Sequence, residues 1–546
     1  MPLSKTKHYF VSKPDVYLRS TSSGGSKRNH LLLGDWLRVL KTTPENGSIK
    51  VRARGDEGWL KEDDFSEKRA LEVNFVDIGQ GDGCHIVTPD DDVILIDAGV
   101  GSNMNRFLSW RYNLRSRNVK RAPDFNGDEP EQKPWLIDHV VISHPDNDHY
   151  YGFLDVFENP KLKFDNIYHN GIVERPDGDQ DASLDYPDDL GGYAKVDGKK
   201  YVWDIINTSK KMKDLIASHP TTRKQFISTV RACRENTSGV TFKAVSLDIK
   251  KLQNESYMGP YDENASISLR ILGPLIEKVT HQGETRKCLR RLGNEGVTKN
   301  GHSVILKLQY ENLSIMLGGD LNTQSQDFLL QQYTSVTSKA SSLEKKVRKL
   351  AAKGDSMTES EKNSMKAAQA KLDTIVSEAR TVFECDVTKA CHHGSSHFAD
   401  TFLRVINAAA TVISSGDNES HSHPRPDALG AFGKHGRGGR PLIFSTELAR
   451  STREFTPIIK HFDALRDYIR RIEETDDADE RKRLKREMEE KQDRNVVVYG
   501  MITLRALGDH VVMAQKLEQP RDSGTKWDIH ELSYNSKRRE FERVSH

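Results

Sequence analysis

Short apolar runs recur along most of this chain, separated by turns rich in Gly, Pro and Asp. Over residues 8–66 the runs DVYLRS, DWLRVLKT, GSIKVRAR and EGWLKEDDF are punctuated by SSGGS and PENG, which predicts a small β domain over residues 1–66. From residue 70 the runs are more continuously apolar. The stretch LEVNFVDIGQGDGCHIVTPDDDVILIDAG predicts two buried strands separated by a Gly-rich turn and an acidic turn. A helix follows, then the strand LIDHVVIS. Further strands are predicted at SVILKLQY, LSIMLGGD, CDVTKACHHG and ATVISS, with a helix at DTFLRVINA. Strands that lead into polar loops with helices between them predict an α/β layered core over residues 70–546.

Three stretches interrupt that rhythm. Residues 155–295 are long and polar. Residues 325–380 carry helical spacing (Leu343, Val347, Leu350, then Leu372, Ile375, Val376) broken at KGDSMTESE, where Thr358 and Glu361 form a candidate capping box. Residues 457–494 form a densely charged helix of mixed sign. All three are expected as insertions, and the two helical ones as solvated hairpins or partner-binding arms. The stretch NVVVYGMITLRALGDHVVMAQ returns to strands and is expected to complete the core sheet.

Composition narrows the classes. The 546 residues carry 82 Lys and Arg against 80 Asp and Glu, so a protein whose whole surface is a basic nucleic-acid footprint is excluded. No apolar run approaches the roughly 20 residues that span a bilayer, and the N-terminus lacks a signal-peptide core. Five scattered cysteines contain no CxxC pair, so no disulfide framework or zinc ribbon is predicted. The expectation is a cytoplasmic protein with no membrane partner.

The candidate chemistry sits at strand ends. VISHPDNDHYYG places His144, Asp146, Asp148 and His149 within six residues after an apolar run. Imidazole and carboxylate together suit divalent metals, and four such groups exceed what one catalytic ion requires from one loop, so two ions are expected. A solvated Asp-rich turn is the bland alternative. It loses weight because LSIMLGGD delivers Asp320 at a second strand tip and DVTKACHHG delivers His392 and His393 at a third.

The order HxDxDH, GD, HHGS resembles the metallo-β-lactamase superfamily, most closely the DNA-uptake (ComEC-type) hydrolase domains, over roughly residues 71–154, 296–324, 383–447 and 496–515. The N-terminal runs resemble the bacterial SH3-like family, whose members are docking modules. The resemblance implies a metallo-β-lactamase αββα sandwich with helical insertions, preceded by a small SH3-like β-barrel. It implies that His144 and Asp146 bind a first ion, Asp148 and His149 a second, that Asp320 bridges them, and that His393 completes the set. His392 becomes a proton-transfer group, His423 in HSHP a general acid or phosphate contact, and Asp97 an orienting residue for the His144 loop. Asp146 stands where the wider superfamily has His, so Mn2+ or Mg2+ competes with Zn2+. The superfamily's third-motif His has no clear counterpart, and His302 is read as a strand-edge surface residue.

Charge suggests the substrate. RFLSWRYNLRSRNVKR, residues 106–121, holds six basic and no acidic residues with Trp110 and Tyr112 interleaved, a recipe for single-stranded nucleic acid. GAFGKHGRGGRP offers Lys434, Arg437 and Arg440. Arg106, Arg111, Lys434 and Arg437 are the candidate substrate contacts. The expected function is a two-metal phosphodiester hydrolase acting on DNA or RNA, with Asp148, His392 and His423 catalytic. The alternatives are a hydrolase of a small phosphodiester or other ester, and a scaffold with a vestigial metal site working through the SH3-like domain or the charged helices.

Overall fold

The computed structural model describes residues 3–175, 181–222, 224–416, 422–446, 458–475, 477, 480–481, 483–485, 488, 501–517, 521–522 and 524–544. Residues 9–66 form a seven-stranded sheet joined by antiparallel pairings, with its own core of Tyr9, Leu18, Leu31, Leu37, Ile49 and Val51. It rests on the rest of the chain through Leu32, Ala514 and Trp527, and the Arg54 guanidinium lies 4.7 Å from the Trp527 ring.

Two large sheets follow. One has ten strands, in which Val93–Ala98, Trp135–Ile142, Leu162–His169 and Thr241–Ala244 run parallel. The other has six, in which Leu313–Leu317, Val387–Lys389, Ala410–Ile413 and Leu442–Ser445 run parallel. Strands buried on both faces lack polar alternation, and Val93–Ala98, Leu313–Leu317 and Ala410–Ile413 are buried at every position. Val73, Phe75, Ile94 and Ile96 of the first sheet join Leu306, Leu308 and Ile315 of the second in one apolar cluster. Helices Asn103–Arg111, Phe153–Glu158 and Gln225–Asn236 pack on the first sheet through Met104, Phe107, Phe153, Phe157, Phe226 and Val230. Helices Ala340–Ala351, Glu359–Phe383 and Asp400–Ile406 pack on the second. The result is a mixed α/β architecture of helix, sheet, sheet and helix layers, consistent with a metallo-β-lactamase fold.

Several sequence expectations are corrected. The stretch 71–99 holds three strands, Leu71–Val76, Gly83–Val87 and Val93–Ala98, because the five buried residues GCHIV after the Gly-rich turn pair with both neighbours. Residues 155–295 are not one insertion. Leu162–His169 and Thr241–Ala244 extend the ten-stranded sheet and Ser268–Gly273 edges the six-stranded one, while a small five-stranded sheet is added between them. The 325–380 hairpin is no solvated arm: Leu343, Leu372, Ile375, Val376 and Phe383 are buried in the main core. Its second helix does start at the Thr358–Glu361 capping box. Helix Ile458–Glu474 lies in the third interruption, and much of the charged stretch beyond it falls outside the described residues, as do residues 495–500. Met501–Leu507 pairs with Leu71–Val76 and so completes the core sheet.

Candidate metal centre

The parallel strands of both sheets end at one pole, which is where open α/β sheets place their chemistry. Trp135–Ile142 leads into Ser143 and the short helix Asn147–Tyr150, which carries Asp148 and His149. Leu313–Leu317 leads through Gly318 and Gly319 to Asp320, and Val387–Lys389 leads to His392 and His393. The Gly-rich turn 79–83 packs beneath the His144 loop. At Gly81 φ is +106°, and an added Cβ would lie 1.7 Å from the Asp148 carbonyl oxygen, so no side chain fits there.

His149 Nε2 lies 3.3 Å and His393 Nε2 3.2 Å from Asp320 Oδ2. Asp148 closes the group, with Oδ1 3.9 Å from His149 Nε2 and Oδ2 3.6 Å from His393 Nε2. His144, His149 and Asp320 form an adjoining set with ligand atoms within 4.8 Å of one another. Each ring has its other nitrogen held. His149 Nδ1 is 2.8 Å from Asp97 Oδ2, His393 Nδ1 is 3.1 Å from Asp82 Oδ1 and 3.0 Å from the Ser414 carbonyl oxygen, and His144 Nδ1 is 3.0 Å from Ser143 Oγ. Such outer partners fix tautomer and aim.

The inward atoms test whether an ion fits. Nε2 of His144, His149 and His393 and Oδ1 of Asp320 are buried without a hydrogen-bond partner. Buried polar atoms are rarely left so, and three convergent imidazole nitrogens with carboxylates are the donor set of a divalent ion. The residues fit. Backbone strain supports the same conclusion. Asp97, His392 and His393 all have φ between 51° and 58°, a conformation that costs a non-glycine residue roughly 1–2 kcal/mol and that clusters at functional sites.

Electrostatics follow from the crowding. Burial opposes a charged His393 ring, but Asp320 and Asp82 outweigh it and raise its pKa to about 10. Burial likewise opposes charging His149, and Asp320 and Asp97 together hold it well above the ordinary value. His392, with Nε2 3.8 Å from Asp320 Oδ2, is pushed down to about 4, chiefly by burial. His423 stands beside this group, its ring 5.8 Å from that of His392 and 6.2 Å from that of His393. Lys389 is buried against Asp82 and lies 3.7 Å from Asp320 Oδ1.

Other candidates fall elsewhere. Asp146 is in none of the ligand groups found among the described residues; its Oδ1 is 2.6 Å from Lys299 Nζ. His302 is buried, not on the surface, and its Nε2 bonds the Arg290 carbonyl oxygen at 2.6 Å, away from the centre. The basic stretches are corrected as well. Glu72 pairs across to Val87, and Val87 to Val93, so Glu72 marks the N-terminal pole of the parallel strands. Arg111 pairs with Glu72 there at 2.9 Å. Arg117 donates to the Lys133 carbonyl oxygen, and Arg121 to those of Pro160 and Asn236. Tyr112 stacks on Trp135 and bonds His85, so its ring is no platform for a base. Arg437 is buried, bonded to Asp386 and to the Phe541 and Cys385 carbonyl oxygens before strand Val387–Lys389. Lys434 and Arg440 are exposed around it. Arg106 and Arg111 both lie on helix Asn103–Arg111, Arg106 in its first half and Arg111 at its end.

Sequence reasoning missed Asp82, Lys389, Lys299 and Ser303. A lone Lys inside the buried strand VTK was the available signal for Lys389.

A family model described as the metallo-beta-lactamase superfamily matches residues 84–211, which include Asp97, His144, Asp148 and His149. No curated protein matches the chain. The family match and the His/Asp clusters together support a metal-dependent hydrolase of the metallo-β-lactamase type.

Proposed function

We propose that this chain is a metal-dependent phosphodiesterase. The observation that carries the reading is the convergence of three unpartnered imidazole nitrogens with the Asp148 and Asp320 carboxylates at adjacent strand tips. Asp148, His149, Asp320 and His393 would hold a divalent ion, which would lower the pKa of a water and stabilise charge on a displaced oxygen. The oxygen-rich donor set favours Mn2+ or Mg2+ alongside Zn2+. His392 and His423 flank the ligands at the open side and are placed to pass a proton between solvent and a substrate oxygen. Asp97 and Asp82 hold the ligand rings.

Resemblance to DNA-uptake hydrolase domains supports DNA or RNA as substrate, and resemblance of the N-terminal sheet to SH3-like modules supports a docking role for it. A second reading, a small phosphodiester, is favoured by a specific observation: most of both basic stretches lies at the opposite pole. Beside the centre, the 155–295 region places Glu174 3.7 Å from Lys299.

The test is hydrolysis of single- and double-stranded DNA, RNA and a bis-aryl phosphodiester with Mn2+, Mg2+ or Zn2+, with Asp148→Ala protein in parallel. Metal-dependent cleavage of polymers, lost in the variant, is the result for a nuclease. Cleavage of the small diester alone selects the second reading. No hydrolysis of any member with metal bound would overturn both.

A further inference from the structure

We infer that this protein holds one tightly bound divalent ion, at Asp148, His149, Asp320 and His393, and that the Lys299 ammonium stands in place of a second. The inference rests on reading this cluster as a metal centre. It departs from the two ions that the HxDxDH loop leads one to expect.

Asp146 is the residue expected to help hold the other ion. Its Oδ1 is 2.6 Å from Lys299 Nζ, and Lys299 also reaches Glu295 at 3.0 Å and Glu174 at 3.7 Å. With the Asn300 amide turned so that its nitrogen faces Asp146, that nitrogen lies 2.7 Å from Oδ2 and 2.9 Å from the Gly296 carbonyl oxygen. Both carboxylate oxygens therefore have donors from one short helix, Glu295–Gly301, whose start is capped by Asn294. The Lys299 side chain is only 10% exposed, so this is an internal ion pair rather than a surface one. A buried pair of this kind is costly to break, because separation leaves a charge desolvated and unpaired.

The rest of the expected first site is also thin. His144 Nε2 is 3.7 Å from Asp146 Oδ2. Among the described residues no third-motif imidazole arrives, since His302 turns to Arg290. Ser303 is the nearby residue of that loop, and its Oγ lies 3.3 Å from His144 Nδ1 and accepts from the Asp320 amide at 3.0 Å. The adjoining set of His144, His149 and Asp320 shares His149 and Asp320 with the neighbouring group. With Asp146 engaged, His144 is therefore, among the described residues, the one ligand of that set not already used, below the three protein ligands of an open catalytic site. The neighbouring group has three in Asp148, His149 and His393, and Asp320 Oδ2 lies 3.3 and 3.2 Å from the two imidazole nitrogens. A fixed ammonium beside the centre also repels a second dication.

The experiment is metal content by mass spectrometry, after loading chelator-stripped full-length protein with Mn2+ and desalting, with calorimetric titration beside it. Wild type is expected to retain one ion per chain. Asp146→Asn is expected to retain one as well, since Asp146 is not a ligand of the tight site. Lys299→Met frees Asp146 and is expected to take up two. Two ions retained by wild type, or loss of the tight ion in Asp146→Asn that melts like wild type, would overturn the inference while leaving the metal centre intact. No ion retained by wild type would overturn the metal centre itself.

Discussion

Asp97 accepts the Ser143 amide at 2.7 Å through one oxygen and holds His149 Nδ1 through the other, so a single carboxylate sets both the loop and the ring. Replacing such an outer partner costs about 10–100-fold in metal affinity. Asp97→Asn should therefore weaken Mn2+ binding by that range in calorimetry with little change in melting temperature; unchanged affinity would remove Asp97 from the centre. At this scale the sequence was informative where the residue type alone carried meaning. His144, Asp148, His149, Asp320 and His393 are metal-ligand types standing after apolar runs. Asp82 and Lys389 were not legible, because they meet across 307 positions only once two sheets have formed. The Lys299 partner of Asp146 was not legible either, because it comes from a helix whose position no local pattern gives.

Helix Glu359–Phe383 presents Ala368, Leu372, Ile375, Val376, Ala379 and Phe383 on one side, all buried. Its charged residues hid that stripe in the sequence, and the hairpin read as solvated. If it is an outer layer of the core, Leu372→Ala should cost about 2–5 kcal/mol in denaturant unfolding; a loss within about 0.5 kcal/mol, the range of surface changes, would restore the arm. The same scale explains the misplaced basic stretches. A helix that follows a strand returns the chain to the start of the next parallel strand. Residues 111–121 and 434–440 sit late in such crossovers, so their nearness in sequence to the ligand loops does not carry into space. The fold class was legible because buried parallel strands are nearly all apolar. The strands within 155–295 were less so, because they are separated by long polar connections.

The whole molecule has two poles with different electrostatic work. One concentrates carboxylates and imidazoles for a cation. The other is closed by internal ion pairs, of which Glu72 is central: burial raises its pKa, but Arg111 and Arg505 outweigh burial and hold the carboxyl far below its ordinary 4.5. A depressed folded-state pKa stabilises above the unfolded value and loses that stabilisation as the pH falls. Glu72→Gln should thus destabilise by about 3–5 kcal/mol at pH 7, with a smaller penalty in urea titrations at about pH 4 than at pH 7. An equal penalty at both would contradict the ion-pair account.

The metal centre at the strand tips is tested most directly by anomalous diffraction from a crystal soaked in Mn2+. The account predicts a strong peak within about 2.0–2.3 Å of His149 Nε2, His393 Nε2 and the Asp148 and Asp320 oxygens. A map with no peak among those residues, or with its strongest peak elsewhere, would contradict it.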